Sequence, residues 1–389
     1  MPKTLTGINP DVLRWARERS GLSVSDVARK FSKSPSAISA WETGETSPTY
    51  VQLEKLAYQV YKRPVAIFFF PEPPDEPNKI GEFRTLPASE RESLSSDTRY
   101  AVRLAETMQI ALRELNNGVN PSPRKIFDDV LTFPHEPSER LAERTRTYLG
   151  ISLEDQCKWS STADALDQWR NAIEDCGVYV FKRSFKQRDI SGFSLMGDQF
   201  PVIFLNNSTP STRQIFTLWH EIAHILFNTS GVTKEDDSFI QLLVGESKAI
   251  EVQANAFAGE FLVPSKDFSS LIHSGPYSDE YFSSLADRYH VSREVVLRKH
   301  SDRSLVTQQF CEDKAREWKE QYATSASSST GGNYYNTQVS YLGRKFLELV
   351  FSRYYQGRID LSQLADYTNV KARNVPALEQ AFMRKLSSS

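Results

Sequence analysis

Apolar residues recur at three- and four-residue spacing through most of the chain, which predicts amphipathic helices; one central stretch instead carries short dense runs, which predict strands. Three short helices open the sequence, Pro10–Glu18, Val24–Phe31 and Pro35–Trp41. Ser23 and Ser34 stand at N-cap positions before the second and third, and Gly21 supplies the turn between the first two. Leu13, Ala16, Val27, Ala28, Ile38, Trp41, Leu53 and Leu56 are the expected core of this bundle. Ala101, Leu104, Met108, Leu112 and Leu115 mark a helix over 95–116, and 139–148 and 163–176 read as two more. The strand-like runs are Gly177–Phe181, Ile190–Leu195 and Pro201–Leu205, each bounded by turn formers or charges. Helical periodicity resumes at about 211–229, 245–262 and 280–299, and a last, mostly helical segment covers 339–386. The expected fold class is α+β, mostly α.

Breaks in the pattern divide the chain. Pro71-Glu-Pro-Pro-Asp-Glu-Pro77 cannot continue a helix, because proline removes donors and fixes φ. Ser325-Ala-Ser-Ser-Ser-Thr-Gly-Gly332 has the composition of a linker. The resulting division is a helical bundle at 1–72, a helical connecting region at 73–155, a domain with the small sheet at 156–300, and a linker with a helical C-terminal region at 301–389. Phe68-Phe69-Phe70 is expected to pack the first domain against the second.

Composition adds three constraints. With 39 % hydrophobic and 25 % charged residues the chain is globular, which excludes wholesale disorder. Its net charge is only −2, yet residues 1–70 hold ten Lys or Arg against six Asp or Glu, a +4 module on a remainder of −6. Nucleic-acid binding would therefore be a local property of that module. Three scattered cysteines, Cys157, Cys176 and Cys311, form no CxxC pair and fit a reducing compartment. Met1–Leu5 lacks a signal-peptide core, and the longest apolar run, Val65–Phe70, is far short of the roughly 20 residues a membrane span needs. A soluble, cytoplasmic protein without a membrane partner is expected.

A short helix, a tight turn and a second helix form the geometry that lays a helix in the DNA major groove. Ser23-Val-Ser-Asp-Val-Ala28, then Ser34-Pro-Ser-Ala-Ile-Ser-Ala-Trp-Glu42, Gly44 and Pro48, resemble the Cro/repressor-type (XRE) helix-turn-helix over about residues 8–63. The resemblance implies that Ser34, Pro35, Ser36 and Ala37 face base edges, and that Ser39 and Lys33 face phosphate. Val24 stands where the family usually has glutamine. The recognition helix that the resemblance implies, Pro35–Trp41, is also poor in Arg, Asn and Gln, the residues that read bases with paired hydrogen bonds.

His220-Glu221-Ile-Ala-His224 is the strongest chemical signal. Residues four apart share a helix face, so both imidazoles can meet one metal ion, and the intervening glutamate can take a proton from an attacking water. Ile215, Phe216, Leu218, Trp219, Ile222, Ile225 and Leu226 make the helix apolar and therefore buried, where two unpartnered histidines would be costly. A third ligand is required. His135, His273, His290 and His300 sit in no companion motif; Glu251, on a helical face with Ala254, Asn255 and Ala258, is better placed, and Glu246 is its rival. Asn255 either orients a ligand or caps a helix contact.

Phe216-Thr-Leu-Trp-His-Glu-Ile-Ala-His224 followed by Glu251-x-x-Ala254-Asn255-x-Phe257-Ala258-x-x-x-Leu262-x-Pro264 resembles the ImmA/IrrE family of metallopeptidases. The likeness extends to Gly192-Phe-Ser, Pro201–Asn206 and Leu285–Ser292, so it covers about residues 160–300. It implies a zincin-like domain with His220, His224 and Glu251 as zinc ligands and Glu221 as general base. Manganese is another divalent metal such a site accepts. Ala223 stands where the family often has glycine. The implied activity is a regulatory endopeptidase that cleaves a partner such as a repressor or antitoxin, docked on DNA or on that partner by residues 8–63. The alternative is a non-catalytic DNA-binding regulator, or toxin–antitoxin component, with the zinc fold as sensor or scaffold. Arg213 reads as a structural residue. Leu285–Val296 and Ile359–Val370 share a helix-turn-helix cadence and are expected to be packing elements; Gly331-Gly-Asn-Tyr-Tyr335 reads as part of the linker. No P-loop, GxGxxG or GxSxG sequence supports nucleotide or serine-esterase chemistry.

Overall fold

The computed structural model describes residues 5–76, 79–83, 85–133, 135–273, 275–325 and 333–388. Pro77 and most of the Ser325–Tyr335 tract, residues 326–332, lie outside the described residues. The fold is α+β and mostly α, with one four-stranded sheet. The chain separates into two compact units, residues 1–106 with 185–187, and residues 107–184 with 188–389. Among the described residues no helix is long and apolar enough to cross a membrane.

In the first unit, helices α1 (Pro10–Arg19), α2 (Val24–Phe31), α3 (Pro35–Thr43) and α4 (Tyr50–Glu54) surround the eight expected core residues, joined by Val12, Ala57, Val60, Tyr61 and Phe68. Ser23 caps α2 in a reciprocal box with Asp26, and Ser34 caps α3 through the Ala37 amide. Gly21 turns the chain with φ of +68°. Arg17 clamps α1 to α3 by a two-pronged pair with buried Glu42, at 2.7 and 3.0 Å, and also donates to the Leu22 carbonyl. The phenylalanine run departs from expectation. Phe68 is fully buried in its own unit's core beside Tyr61, while Phe69 and Phe70 are exposed. A five-residue 3-10 helix, Val65–Phe69, sends successive side chains in different directions.

The second unit is built on strands β1 (Tyr179–Arg183), β2 (Ile190–Leu195), β3 (Val202–Asn206) and β4 (Val232–Lys234), ordered β1-β3-β2-β4. β1 runs parallel to β3; β2 runs antiparallel to both β3 and β4. β4 is an addition to the three strands expected, and it forms the sheet's edge. Every residue of β2 and β3 is buried. Helix Ser211–Leu226 leaves β3 after a short turn and packs between the sheet and helix Gly245–Leu262. Fully buried Trp219 locks this layer, stacked on Phe261 and edge-on to Trp169 of helix Thr162–Asp175. The stretch 280–299 forms two helices, Asp279–Tyr289 and Arg293–Asp302, and among the described residues five more α-helices follow, Gln308–Ser325, Tyr334–Leu342, Arg344–Tyr355, Leu361–Thr368 and Val375–Ser388.

Candidate metal centre

Every residue from Gln214 to Leu226 is buried, so this helix is apolar on all sides except where its polar groups find partners. His220 and His224, one turn apart, project toward helix Gly245–Leu262, and Ala223, Ala254 and Ala258, all buried, let the two helices approach. Glu251 meets both imidazoles there. Its Oε2 is 3.2 Å from His220 Nε2, its Oε1 is 3.3 Å from His224 Nε2, and the two Nε2 atoms are 3.1 Å apart. Tetrahedral ligands about 2.0–2.2 Å from one zinc ion would stand about 3.3–3.6 Å from each other, so this donor triangle is close to the size the ion needs. Neither Glu251 oxygen receives a well-formed hydrogen bond although both are fully buried. Burial opposes the charge on Glu251, and protonated imidazoles at His224 and His220 outweigh it, holding the carboxyl well below the usual carboxylate range.

The far sides of both imidazoles are fixed. His220 Nδ1 lies 2.9 Å from Asn255 Oδ1, an acceptor, so Nδ1 carries the proton and Nε2 presents a lone pair. The Thr229 hydroxyl donates to the His224 carbonyl at 3.1 Å and therefore accepts from His224 Nδ1 at 3.2 Å, giving the same tautomer. Such partners orient metal-ligating histidines and raise their basicity.

Glu221 turns toward the sheet instead. Ser194 Oγ of β2 donates to its Oε2 at 2.6 Å, and Thr233 Oγ1 of β4 donates to its Oε1 at 2.5 Å. The Gly231 amide donates in turn to Ser194 Oγ at 3.2 Å. Two glycines make these approaches sterically feasible. A Cβ on Gly231 would lie 2.2 Å from His224 Cδ2, and one on Gly192 would lie 2.6 Å from Thr217 Cγ2. His220, His224, Glu221 and Glu251 are at most 2 % exposed, and cavities of 640 and 660 Å³ elsewhere in this unit are lined by none of them.

The structure thus gathers His220, His224, Glu251 and Asn255, with Glu221 beside them. Glu246 is exposed on the first turn of its helix and outside the cluster. His300 is a core residue bonded to Tyr281 and the Val296 carbonyl. Arg213 donates to Ser191 Oγ and to the Lys234 carbonyl, and so ties β2 to β4. Sequence reasoning missed Ser194, Thr229, Gly231 and Thr233; only the Gly192-Phe-Ser194 stretch carried a signal. In the first unit, Lys33, Ser34, Pro35, Ser36 and Ser39 are exposed on the turn and one face of α3, and Ala37 is half-buried.

Residues 173–301 match the IrrE N-terminal-like domain family, and residues 13–57 match the helix-turn-helix family. The two matches occur in the N- to C-terminal order that the motifs imply, and together they fit a DNA-binding regulator carrying a protease-like domain. No curated protein matches the chain.

Proposed function

We propose that the chain is a zinc-dependent regulatory endopeptidase that cleaves a partner protein, of the repressor or antitoxin class, in the cytoplasm. The observation that carries this reading is the triangle of His220, His224 and Glu251 with a carboxylate, Glu221, on the adjacent residue. A structural metal site has no use for such a base. His220, His224 and Glu251 would hold a single zinc ion, or manganese. When bound, the ion acidifies water and polarises a peptide carbonyl.

Glu221 takes the proton of the attacking water and passes it to the leaving amine, an exchange one carboxylate can perform in both directions. Ser194 and Thr233 hold that carboxylate in one orientation. Asn255 and Thr229 hold the imidazoles in the tautomer that leaves Nε2 free. The enclosure of all four groups supports a protease that is closed at rest and opened by a signal or partner. Residues 8–63 bring it to DNA or to that partner, with Lys33 and Ser39 toward phosphate and Ser34, Pro35, Ser36 and Ala37 toward base edges.

The same enclosure supports the second reading, a non-catalytic regulator that uses the metal fold as sensor or scaffold. Glu221→Gln separates the two. In cells producing the wild type, the protease reading expects new protein N-termini that are absent with Glu221→Gln, while mass spectrometry finds equal zinc in both proteins. Identical N-termini in the two strains discard proteolysis.

A further inference from the structure

Among the described residues the turn between α2 and α3 recurs at two later helix pairs; the turn from α1 to α2 shares it, with Gly21 left-handed, the Leu22 amide donating to the Arg17 carbonyl at 3.2 Å and Ser23 at the N-cap. In α2–α3 and the two later pairs a helix ends on a left-handed residue, and the residue two positions later stands extended at the N-cap position of the next helix. The left-handed residues are Ser32 (φ 51°, ψ 44°), His290 (56°, 40°) and Asn369 (53°, 41°). The residues at those N-cap positions are Ser34 (φ −71°, ψ 149°), Ser292 (−77°, 153°) and Lys371 (−68°, 142°). The hydrogen bonding repeats as well. Lys33, Val291 and Val370 donate from their amides to the carbonyls of Ala28, Ala286 and Ala365 at 3.0, 3.0 and 3.1 Å.

The first and third copies also share their burial. Val27, Ala28, Ile38 and Trp41 are buried in the N-terminal copy; Leu364, Ala365, Val375 and Leu378, at the same offsets from the left-handed residue, are buried in the C-terminal one. The middle copy differs. Its second helix, Arg293–Asp302, is embedded through Val295, Val296, Leu297, Lys299 and His300, and on its open side Arg298 is paired with Glu294 at 3.2 Å.

In the C-terminal copy the second helix begins as a 3-10 turn, Ala372–Asn374, and continues as Val375–Ser388. Its outer positions are open. Lys371, Arg373, Pro376, Gln380 and Met383 are exposed, and Asn374 is half-exposed. No carboxylate among the described residues pairs with Lys371 or Arg373. Where the N-terminal copy offers Ser34, Ser36 and Ala37, this one offers Lys371, Arg373 and Asn374. These are the residue types that hold phosphate, read guanine and read adenine. Charge agrees: residues 333–389 hold eight Lys or Arg against four Asp or Glu, the same +4 as residues 1–70. With a whole-chain charge of −2, the stretch 71–332 between them is −10.

We infer that residues 361–388 are a second helix-turn-helix that binds duplex DNA, with Lys371, Arg373 and Asn374 at the DNA and the exposed face of Val375–Ser388 in the major groove. The expected packing role of Ile359–Val370 is then only half its function. Double-stranded RNA is a poor fit, because its deep, narrow major groove does not admit a helix.

The test is fluorescence anisotropy of a labelled 30-base-pair duplex of mixed sequence with the full chain at 50–200 mM KCl. Lys371→Glu with Arg373→Glu is expected to weaken binding at least tenfold and to lower the slope of log affinity against log salt by about 1, for the phosphate left without Lys371, while the loss of Arg373 removes a base contact. Both residues are exposed, and an unchanged melting temperature, or the milder Lys371→Ala with Arg373→Ala, confirms an intact fold. Lys33→Glu with Ser36→Glu, which disables only the N-terminal copy, leaves salt-dependent binding that the combined variant abolishes. Wild-type affinity and slope in the Lys371/Arg373 variant overturn the inference. So does complete loss of binding in the Lys33/Ser36 variant, or no duplex binding by the wild type at 50 mM salt.

Discussion

Ser194 and Glu221, 27 positions apart, meet in a buried hydrogen bond of 2.6 Å in which the hydroxyl donates to the carboxylate Oε2. Ser194 reaches it from the C-terminal end of β2, held by the Gly231 amide on its other side. The bond orients Glu221 without touching the metal-binding atoms, so Ser194 is a positioning residue. Ser194→Ala should leave zinc content unchanged and lower kcat about tenfold with little change in KM, measured on the protein whose new N-termini identify it as substrate. Thr233→Val should act alike, and Thr233→Ser, which keeps the donor, should restore turnover. Full activity in both Ser194→Ala and Thr233→Val would remove these hydroxyls from the account.

Asn255 reaches the proposed metal site only through His220 Nδ1. Asn255→Ala should weaken zinc affinity about 10- to 100-fold, read by competition with a chromogenic chelator. Asn255→Asp keeps the acceptor and should stay near wild type. Because a ligand at 100 times its dissociation constant adds about 2.7 kcal/mol of stability, zinc should also raise the melting temperature of the wild type, and chelation should lower it. An Asn255→Ala protein with unaltered affinity would reduce the residue to a helix contact.

Two glycines near the site should respond oppositely to the same change. At Gly231 the added methyl would lie 2.2 Å from His224 Cδ2, too close for either to stay in place. Gly231→Ala should therefore displace a ligand, with zinc affinity down more than tenfold and a lower melting temperature. At Gly259, inside helix Gly245–Leu262, the nearest atom is Lys299 Cε at 3.9 Å. Gly259→Ala should raise stability by about 0.5–1 kcal/mol through helix propensity alone. Zinc affinity unchanged in Gly231→Ala would show that His224 moves aside at no cost.

What could be read from the sequence was local. The four-residue spacing of His220 and His224 lies within one helix turn, and the apolar residues around them announce its burial. Glu251 comes 27 positions after His224, on another element; the small face of Ala254 and Ala258 suggested a close approach, but only the family pattern separated it from Glu246. Ser194 showed only through the family pattern at Gly192-Phe-Ser194 and Thr233 not at all, because their roles depend on the register of β2 against a three-residue edge strand with no periodicity of its own. Strand starts moved for a similar reason. Gly177, at φ of +85°, belongs to the turn, and β1 begins at Tyr179. The repeated turn at Asn369 was legible as a cadence, while its difference from the copy at His290 lies in how much of the second helix the fold buries and in the pairing of Arg298 with Glu294.

Lys182 gives the fold a pH dependence that does not involve the metal site. It lies in β1, 7 % exposed, with its ammonium in the field of Arg170, Asp167, Lys385 and Glu174. Burial disfavours its charge and the neighbouring Arg170 adds to the effect, so its pKa falls from 10.5 to about 7. The unfolded chain keeps this proton up to about pH 10.4, whereas the folded chain releases it above about 7. Between those values the unfolded state binds more protons, and stability rises with pH by at most about 1.4 kcal/mol per unit. Below pH 7 both states are protonated and the cost of burying the charge is fully present. Lys182→Met keeps the length of the side chain and removes that cost. It should stabilise the protein at pH 7 by on the order of 3 kcal/mol, and the gain should shrink steadily toward pH 10. Urea unfolding of both proteins at pH 7, 8.5 and 10 measures this difference directly. A gain that is constant across the three would mean that Lys182 keeps its proton in the folded chain, and that the improvement comes from packing alone.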